Sequence, residues 1–388
     1  MIAMLAATTA FSIDAMLPAL PEIAAELTPD NVNRAQLIVT SFMLGMGVGT
    51  FFTGPLADRF GRKTVILSGA VIYVMATVAA FFASTLETML AARVAMGLAA
   101  AAPRVAALAL VRDVYSGRDM ARIMSFVMLV FALVPALAPT LGAFIIDLTG
   151  WRSIFIAFAI FATISAFWLG LRQPETLPHD KRRPLSIRNL GLAAVEVFSH
   201  PTVRLSIFVQ TLSFGILFSV LSSTQQVFDQ TYGQGDTFHL WFGGIAILAS
   251  SASVLNARLV GRLGMRRIVK GMFMAQMFLS LTMVLIVSLH LPNQIELMFY
   301  ALWTVAVFFQ AGLTIGNLNA LAMEPMGHIA GSAASVIAAT STIGAVIIAV
   351  PIGLMFDGTP LPLALGAFVC AALAFWLTSL IRRGSDET

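Results

Sequence analysis

Charge is what this chain has least of. Of its 388 residues only 11% are charged, where an average soluble domain carries about 25%, and 59% are hydrophobic. No soluble packing offers enough interior for that apolar fraction, and the mean hydropathy of +0.90 points the same way, to an integral membrane protein. No stretch is long enough for a water-soluble domain. A single cysteine, Cys370, excludes a disulfide framework. The five histidines (His179, His200, His239, His290 and His328) fall in loops or at span ends, and no Cys/His cluster has metal-ligand spacing. That argues against a zinc site, a buried histidine relay and a hydrolase built on a Ser–His pair, so neither an enzyme nor a cofactor is expected. No Walker loop is present, so ATP is not the energy source. The isoelectric point near 9.6 resembles a nucleic-acid signal, but the lysines and arginines lie between apolar segments, and no nucleic-acid partner is expected.

What is present is a series of long apolar runs. At about 20 residues per spanning helix this length fits ten to twelve spans. Twelve can be drawn, at about 1–20, 36–57, 64–83, 87–110, 121–147, 151–171, 204–228, 238–260, 267–289, 294–322, 330–355 and 360–381. Runs such as Val71 to Phe82 show none of the alternation a membrane barrel needs, so the expected fold class is all-α.

The cations set the orientation. Arg59, Arg62 and Lys63 follow the second span, and Arg112, Arg118 and Arg122 the fourth. Arg172, Lys181, Arg182, Arg183 and Arg188 lie between the sixth and seventh. Arg258, Arg262, Arg266, Arg267 and Lys270 surround the turn after the eighth, and Arg382 and Arg383 close the last. The opposite loops hold only Arg34 and Arg152, so both termini are expected in the cytoplasm. The first span starts at Met1 with no preceding cation, and the numbering is compatible with a start inside a longer natural chain. A cleaved signal peptide would want a basic n-region and would not want Asp14 in its apolar core.

The chain also repeats itself. Leu56-Ala57-Asp58-Arg59-Phe60-Gly61-Arg62-Lys63 is echoed by Leu259-Val260-Gly261-Arg262-Leu263-Gly264-Met265-Arg266, at an offset of 203 residues. The same offset maps the seventh span, near Arg204, onto residue 1. The expected organisation is therefore two pseudo-symmetric six-helix halves, 1–171 and 204–388, joined by a basic, proline-bearing cytoplasmic linker over 172–203. Two parallel halves around a midplane site is a transporter design. One functional unit per chain follows, so a monomer suffices, with membrane lipids as its surroundings.

Several residues stand out against this apolar background. Asp14 sits inside the first span, where an ionisable residue is costly and points to function. Two roles fit: a proton carrier, or a structural ion pair or helix-end carboxylate near the outer surface, since Pro18 and Glu22 follow. Arg93, about two turns into the fourth span, is the expected partner, either as a switch of proton affinity that moves toward or away from Asp14, or as a static pair joining the two helices. Arg104, three turns further on the same face and next to Pro103, is read as holding anionic substrate groups, lining the cytoplasmic mouth or snorkelling to the interface. In the loop after the second span, Gly54 permits close helix approach, Gly61 a tight turn, and Asp58 can meet a helix N-terminus and an arginine. That pattern suits a gate involving Arg59, Arg62 and Arg112, while anchoring by positive-inside charge explains part of the arginines. Gln210 and Phe214 align with Leu217 in the seventh span, and Gln310, Thr314 and Asn317 in the tenth. They suit either a sparsely polar substrate cavity or hydrogen bonds between helices.

Gly54-Pro55-Leu56-Ala57-Asp58-Arg59-Phe60-Gly61-Arg62-Lys63 resembles the signature loop between helices 2 and 3 of the major facilitator superfamily. Arg93-Val94-Ala95-Met96-Gly97 resembles its fourth-helix Arg-x-x-x-Gly motif, and Pro135, Pro139 and Gly142 are similar to the fifth-helix motif of its drug:proton antiporters, with Ala138 where a glycine usually precedes the proline. Asp14-Ala15-Met16-Leu17-Pro18-Ala19-Leu20-Pro21, Arg112-Asp113, Met124-Ser125-Phe126 and Pro174-Glu175-Thr176-Leu177 resemble the bicyclomycin- and chloramphenicol-resistance branch. The resemblance implies a twelve-helix antiporter of the bacterial inner membrane that expels small amphipathic drugs in exchange for protons. It also implies Asp14 as the proton carrier and the start of helix 11, Gly331-Ser332, as the neighbour of the Asp58 loop. A dedicated carrier of one metabolite shares the fold and is the alternative; a receptor or an intramembrane enzyme fits less well.

Overall fold

The computed structural model describes residues 1–115, 117–178, 180, 182 and 187–381. His179, Lys181, Arg183 and Pro184 of the expected linker, and Arg382 and Arg383, lie outside the described residues, as do the side chains of Met124 and Ser125. No strand occurs among the described residues. The helices are α1 (Ile2–Asp14), α2 (Leu20–Leu27), α3 (Leu37–Phe60), α4 (Arg62–Phe81), α5 (Leu86–Val114), α6 (Gly117–Thr149), α7 (Ser153–Arg172), α8 (Ile187–Ser199), α9 (Pro201–Gln226), α10 (Phe238–Leu263), α11 (Met265–Ser288), α12 (Asn293–Met323), α13 (Ala330–Leu354) and α14 (Leu361–Leu380). Ten described stretches are long and apolar enough to cross a membrane. One of these, Asn293–Leu354, comprises both α12 and α13, and α6 carries a further apolar stretch, Leu133–Thr149. A twelve-helix membrane arrangement fits this inventory.

The chain forms two compact units, Met1–Gly191 and Leu192–Thr388. In the first, α5 is the central element, packed against α3, α4 and α1, with α1 also against α6 and α7, and α4 against α7. In the second, α12 packs against α10, α11 and α9, α9 also against α13 and α14, and α11 against α14. Each of these pairings in one unit has its counterpart in the other, so the sequence repeat is also a repeat of packing. Small residues make it possible: Ala57, Ala102, Ala106 and Ala107 are all buried in one cluster of the first unit, where van der Waals contact between backbones replaces the hydrophobic drive absent in lipid.

Two elements differ from expectation. The first span is not one helix over 1–20: α1 stops at Asp14, and α2 resumes at Leu20 after a 3₁₀ turn, Leu17–Ala19. Pro18 has no N–H to return to the Asp14 carbonyl, and Pro21 none for Leu17, so the ladder lapses at both. The segment between the halves contains a helix, α8. Its Leu190, Ala193 and Val197 are buried at helical spacing while Leu192 and Val195 are exposed.

Candidate functional site

Asp14 is the last residue of α1, 5% exposed, and makes no hydrogen bond or ion pair among the described residues. Arg93, on α5, is fully buried. Its Nε donates to the Ile38 carbonyl at 3.1 Å and its Nη2 to the Ser12 carbonyl at 3.2 Å. The guanidinium carbon lies 4.5 Å from the centroid of the Phe42 ring, and Nη1 is buried without a partner. The expected direct pair of Asp14 and Arg93 is therefore not formed. The open carbonyl end of α1 is a partial negative charge, and it takes the guanidinium two residues before the carboxylate.

Glycines set these positions. Gly97 follows Arg93 by one turn, and a Cβ there would lie inside van der Waals contact of the Phe42 carbonyl; a Cβ on Gly45 would meet the Val94 carbonyl in the same way. The close approach of α3 and α5 is what puts Arg93 on the Phe42 ring and on the Ile38 carbonyl one turn earlier. Gly142 of α6 does the same for the break in α1, since its missing side chain makes room for the Ala15 carbonyl. The Arg-x-x-x-Gly spacing and the fifth-helix glycine thus converge on one place, the end of α1.

Arg104 lies half-buried on α5, where its Nη1 donates to the Met46 sulfur at 3.3 Å. No acid joins it among the described residues.

At the other end of α3, Gly61 takes φ +100° and α4 begins at Arg62. Asp58 binds Arg62 at 2.5 Å, and Arg62 reaches Asp113 at the end of α5 at 3.4 Å. The first backbone N–H groups of α4 are satisfied by Glu175, whose carboxylate accepts from Arg62 at 2.8 Å, Lys63 at 3.1 Å and Thr64 at 3.4 Å. It also accepts from the backbone of Thr176 and Leu177. Any Cβ on Gly61 would collide with this carboxylate. Lys63 Nζ closes the carbonyl end of α7 at Gly170, 2.8 Å away. Arg59 is exposed beside Phe60, Arg112 is exposed and outside the network among the described residues, and Gly54 is half-buried near the end of α3. The carboxylate at the N-terminus of α4 is Glu175, and within the same unit Asp58 pairs with Arg62. Pro174-Glu175-Thr176-Leu177 was the available sequence signal for it.

The repeat is visible in the second unit. Gly264 takes φ +76° between α10 and α11, and Arg266 Nη2 reaches the Ser379 carbonyl near the end of α14 at 3.4 Å, as Lys63 reaches the end of α7. Gly261 stands where Asp58 stood, and no ion pair forms there among the described residues.

The polar residues of the seventh and tenth spans bind one another across α9 and α12. Gln310 Nε2 donates to Ser213 Oγ at 2.9 Å and to Thr314 Oγ1 at 2.8 Å, and the two hydroxyls lie 2.8 Å apart. Asn317 donates to the Asn256 side chain at 2.8 Å. Gln210 is buried with its Oε1 unpartnered, and Phe214 is half-buried against Phe218. Ser213 and Asn256 complete these contacts; serines and asparagines on an apolar helix carry no period of their own that would mark them in the sequence.

Residues 2–349 match the profile of the Major Facilitator Superfamily. The chain belongs to that superfamily. Major facilitator proteins are membrane transporters rather than enzymes. The chain is 29% identical over 378 residues to a bicyclomycin resistance protein homolog of Haemophilus influenzae, covering 95% of this chain and 93% of that one. It is 30% identical over 260 residues to a chloramphenicol resistance protein of Pseudomonas aeruginosa (64% and 58%), and 37% identical over 150 residues to the multidrug resistance protein MdtL of Escherichia coli (38% of each). Among solved structures, the D-xylose–proton symporter superposes with a TM-score of 0.75 over 96% of this chain and 95% of that one, at 14% identity, a likeness of fold alone. As a major facilitator protein the chain has recognisable parts, but its Ser12 and Tyr73, which bond to one another beside Asp14, stand outside the motifs. Tyr73 is one of only four tyrosines, and a phenol in an apolar span was the signal available for it.

Proposed function

We propose that this transporter is a proton-coupled antiporter that exports small amphipathic drugs across the bacterial inner membrane by alternating access, with both termini in the cytoplasm and one chain as the working unit. One observation carries the coupling: Asp14, inside a candidate membrane span, is buried at a helix break with no cation bonded to it, while Arg93 is held two residues away. A carboxyl so placed can take a proton without breaking an ion pair, and a guanidinium within reach of the same helix end can bias which state is favoured. The names of the relatives support the drug class. The lack of a bonded anion at Arg104 leaves that cation free to meet acidic groups of a substrate. The Asp58–Arg62–Asp113 network is the fixed part of a cytoplasmic latch. Gln210, Phe214, Gln310, Thr314 and Asn317 contribute the sparse polarity of a substrate path, with protons as the coupling ion.

The test is proton release from purified, unbuffered protein on adding a panel of unrelated amphipathic drugs, with Asp14→Asn beside it. Release by several compounds, lost in the variant along with gradient-driven efflux, is the expected result. Retained pH-dependent efflux in Asp14→Asn overturns the assignment, and response to a single metabolite alone replaces the drug class with that of a dedicated carrier.

A further inference from the structure

Ser12 is gripped twice. Its hydroxyl donates to the Thr8 carbonyl at 2.6 Å and lies 2.5 Å from the Tyr73 phenol oxygen. A serine hydroxyl has one proton, and the Thr8 carbonyl takes it, so Tyr73 is the donor in the second bond. The Ser12 carbonyl is meanwhile taken by Arg93. Tyr73 reaches in from α4 and Arg93 from α5, and all three residues are buried. Two residues later α1 ends at Asp14, which is bonded to nothing among the described residues, so the place of its carboxyl is set by the backbone clamped at Ser12.

Packing alone does not call for the phenol. Burying a hydroxyl is unfavourable unless it is bonded, and a phenylalanine would fill the same volume without that penalty. Among the described residues, the other elements on this end of α1 bring no competing bond: α6 offers Gly142 to the Ala15 carbonyl, and α7 sets Phe158 against Phe11 at 5.3 Å. Arg93 and Tyr73 are the titratable groups that face it from the elements packed there.

We propose that Tyr73, acting through Ser12, is a positioning residue for proton exchange at Asp14: phenol and guanidinium together fix the last turn of α1, and with it the surroundings of the carboxyl. The inference rests on the proposed role of Asp14. Tyr73→Phe keeps the ring and removes the donor; Ser12→Ala removes the acceptor, and Ser12→Thr restores it. The measurement is substrate-induced proton release as a function of pH, alongside substrate binding and the thermal midpoint. Tyr73→Phe and Ser12→Ala are expected to bind substrate and to move the pH midpoint of release by about half a unit, about a threefold change in proton affinity. Ser12→Thr should match the parent protein, and the double variant should shift no further than either single one. A parental midpoint in both Tyr73→Phe and Ser12→Ala overturns the inference. Should Tyr73→Phe not fold, the contrast between Ser12→Ala and Ser12→Thr decides alone. Release that survives in Asp14→Asn sinks the underlying reading, whereas release lost there but unshifted in Tyr73→Phe and Ser12→Ala sinks only the positioning role.

Discussion

Gly97 shows how little room separates α3 from α5. In a helix interior, replacing glycine by alanine ordinarily stabilises by about 1 kcal/mol, because the unfolded chain loses freedom it would otherwise have. At Gly97 the new methyl would press on the Phe42 carbonyl, a backbone atom that cannot swing away. Overpacking of this kind costs about 1–3 kcal/mol, so the sign reverses. Gly97→Ala is expected to lower the thermal midpoint in detergent, whereas Gly271→Ala on α11, with nothing near its Cβ position, should leave it unchanged or raise it. Equal responses at the two glycines would contradict the close approach. Arg93 depends on the same contact, since widening the gap between α3 and α5 also draws its guanidinium off the Ile38 carbonyl.

Helix ends, rather than helix middles, carry most of the chemistry. α4 starts on a carboxylate from a distant segment, and five backbone N–H groups converge on Glu175. A carboxylate at a helix N-terminus contributes up to about 2 kcal/mol when partly buried. Glu175→Ala is expected to destabilise the first unit by about 1–2 kcal/mol and to loosen the Arg62 network, read as faster amide exchange at Arg62 to Thr64; Asp58→Ala should leave those three amides protected. How much of this was legible beforehand depends on what hydropathy averages. Burial in a membrane is a property of some twenty consecutive residues, so the helices were readable in outline. The stop at Asp14 was not, because Pro18 and Pro21 barely lower the apolar average, although their missing N–H groups decide the geometry. The destination of the Gln310 amide was equally hidden: helical periodicity aligns it with Thr314, but only α9, about a hundred residues away in sequence, supplies Ser213. Asp14 and Arg93 were visible because charge in an apolar run needs no partner to be noticed. That Arg93 bonds to the Ser12 carbonyl and leaves Asp14 unpaired among the described residues was not visible, since it turns on where a helix ends.

Both units use one packing plan, yet among the described residues only the first carries the acid and arginine network after its second long helix. The repeat in sequence made the plan readable, and its decay, with Gly261 in place of Asp58, made the inequality readable too. The proposed orientation of the chain rests on where its cations lie. In a Cys370→Ser background, Asp236→Cys is expected to react with a membrane-impermeant maleimide on intact cells, and Arg118→Cys only after permeabilisation; the reverse pattern would invert the topology. Both positions are exposed, so failure to react cannot come from burial.

The buried carboxyl of Asp14, unpaired among the described residues, has an electrical consequence under the proposed function. As the proposed proton carrier, Asp14 gains one positive charge with each proton it takes up inside a candidate membrane span. In an exchange of one proton per drug, a neutral drug leaving against the entering proton moves one net charge, and a monovalent cationic drug moves none. A potential of 100 mV is worth about 2.3 kcal/mol per charge moved. Export of neutral compounds would then draw on both voltage and pH gradient, and export of monovalent cations on the pH gradient alone. Collapsing the potential with a potassium ionophore would separate the two classes of substrate within a single transporter.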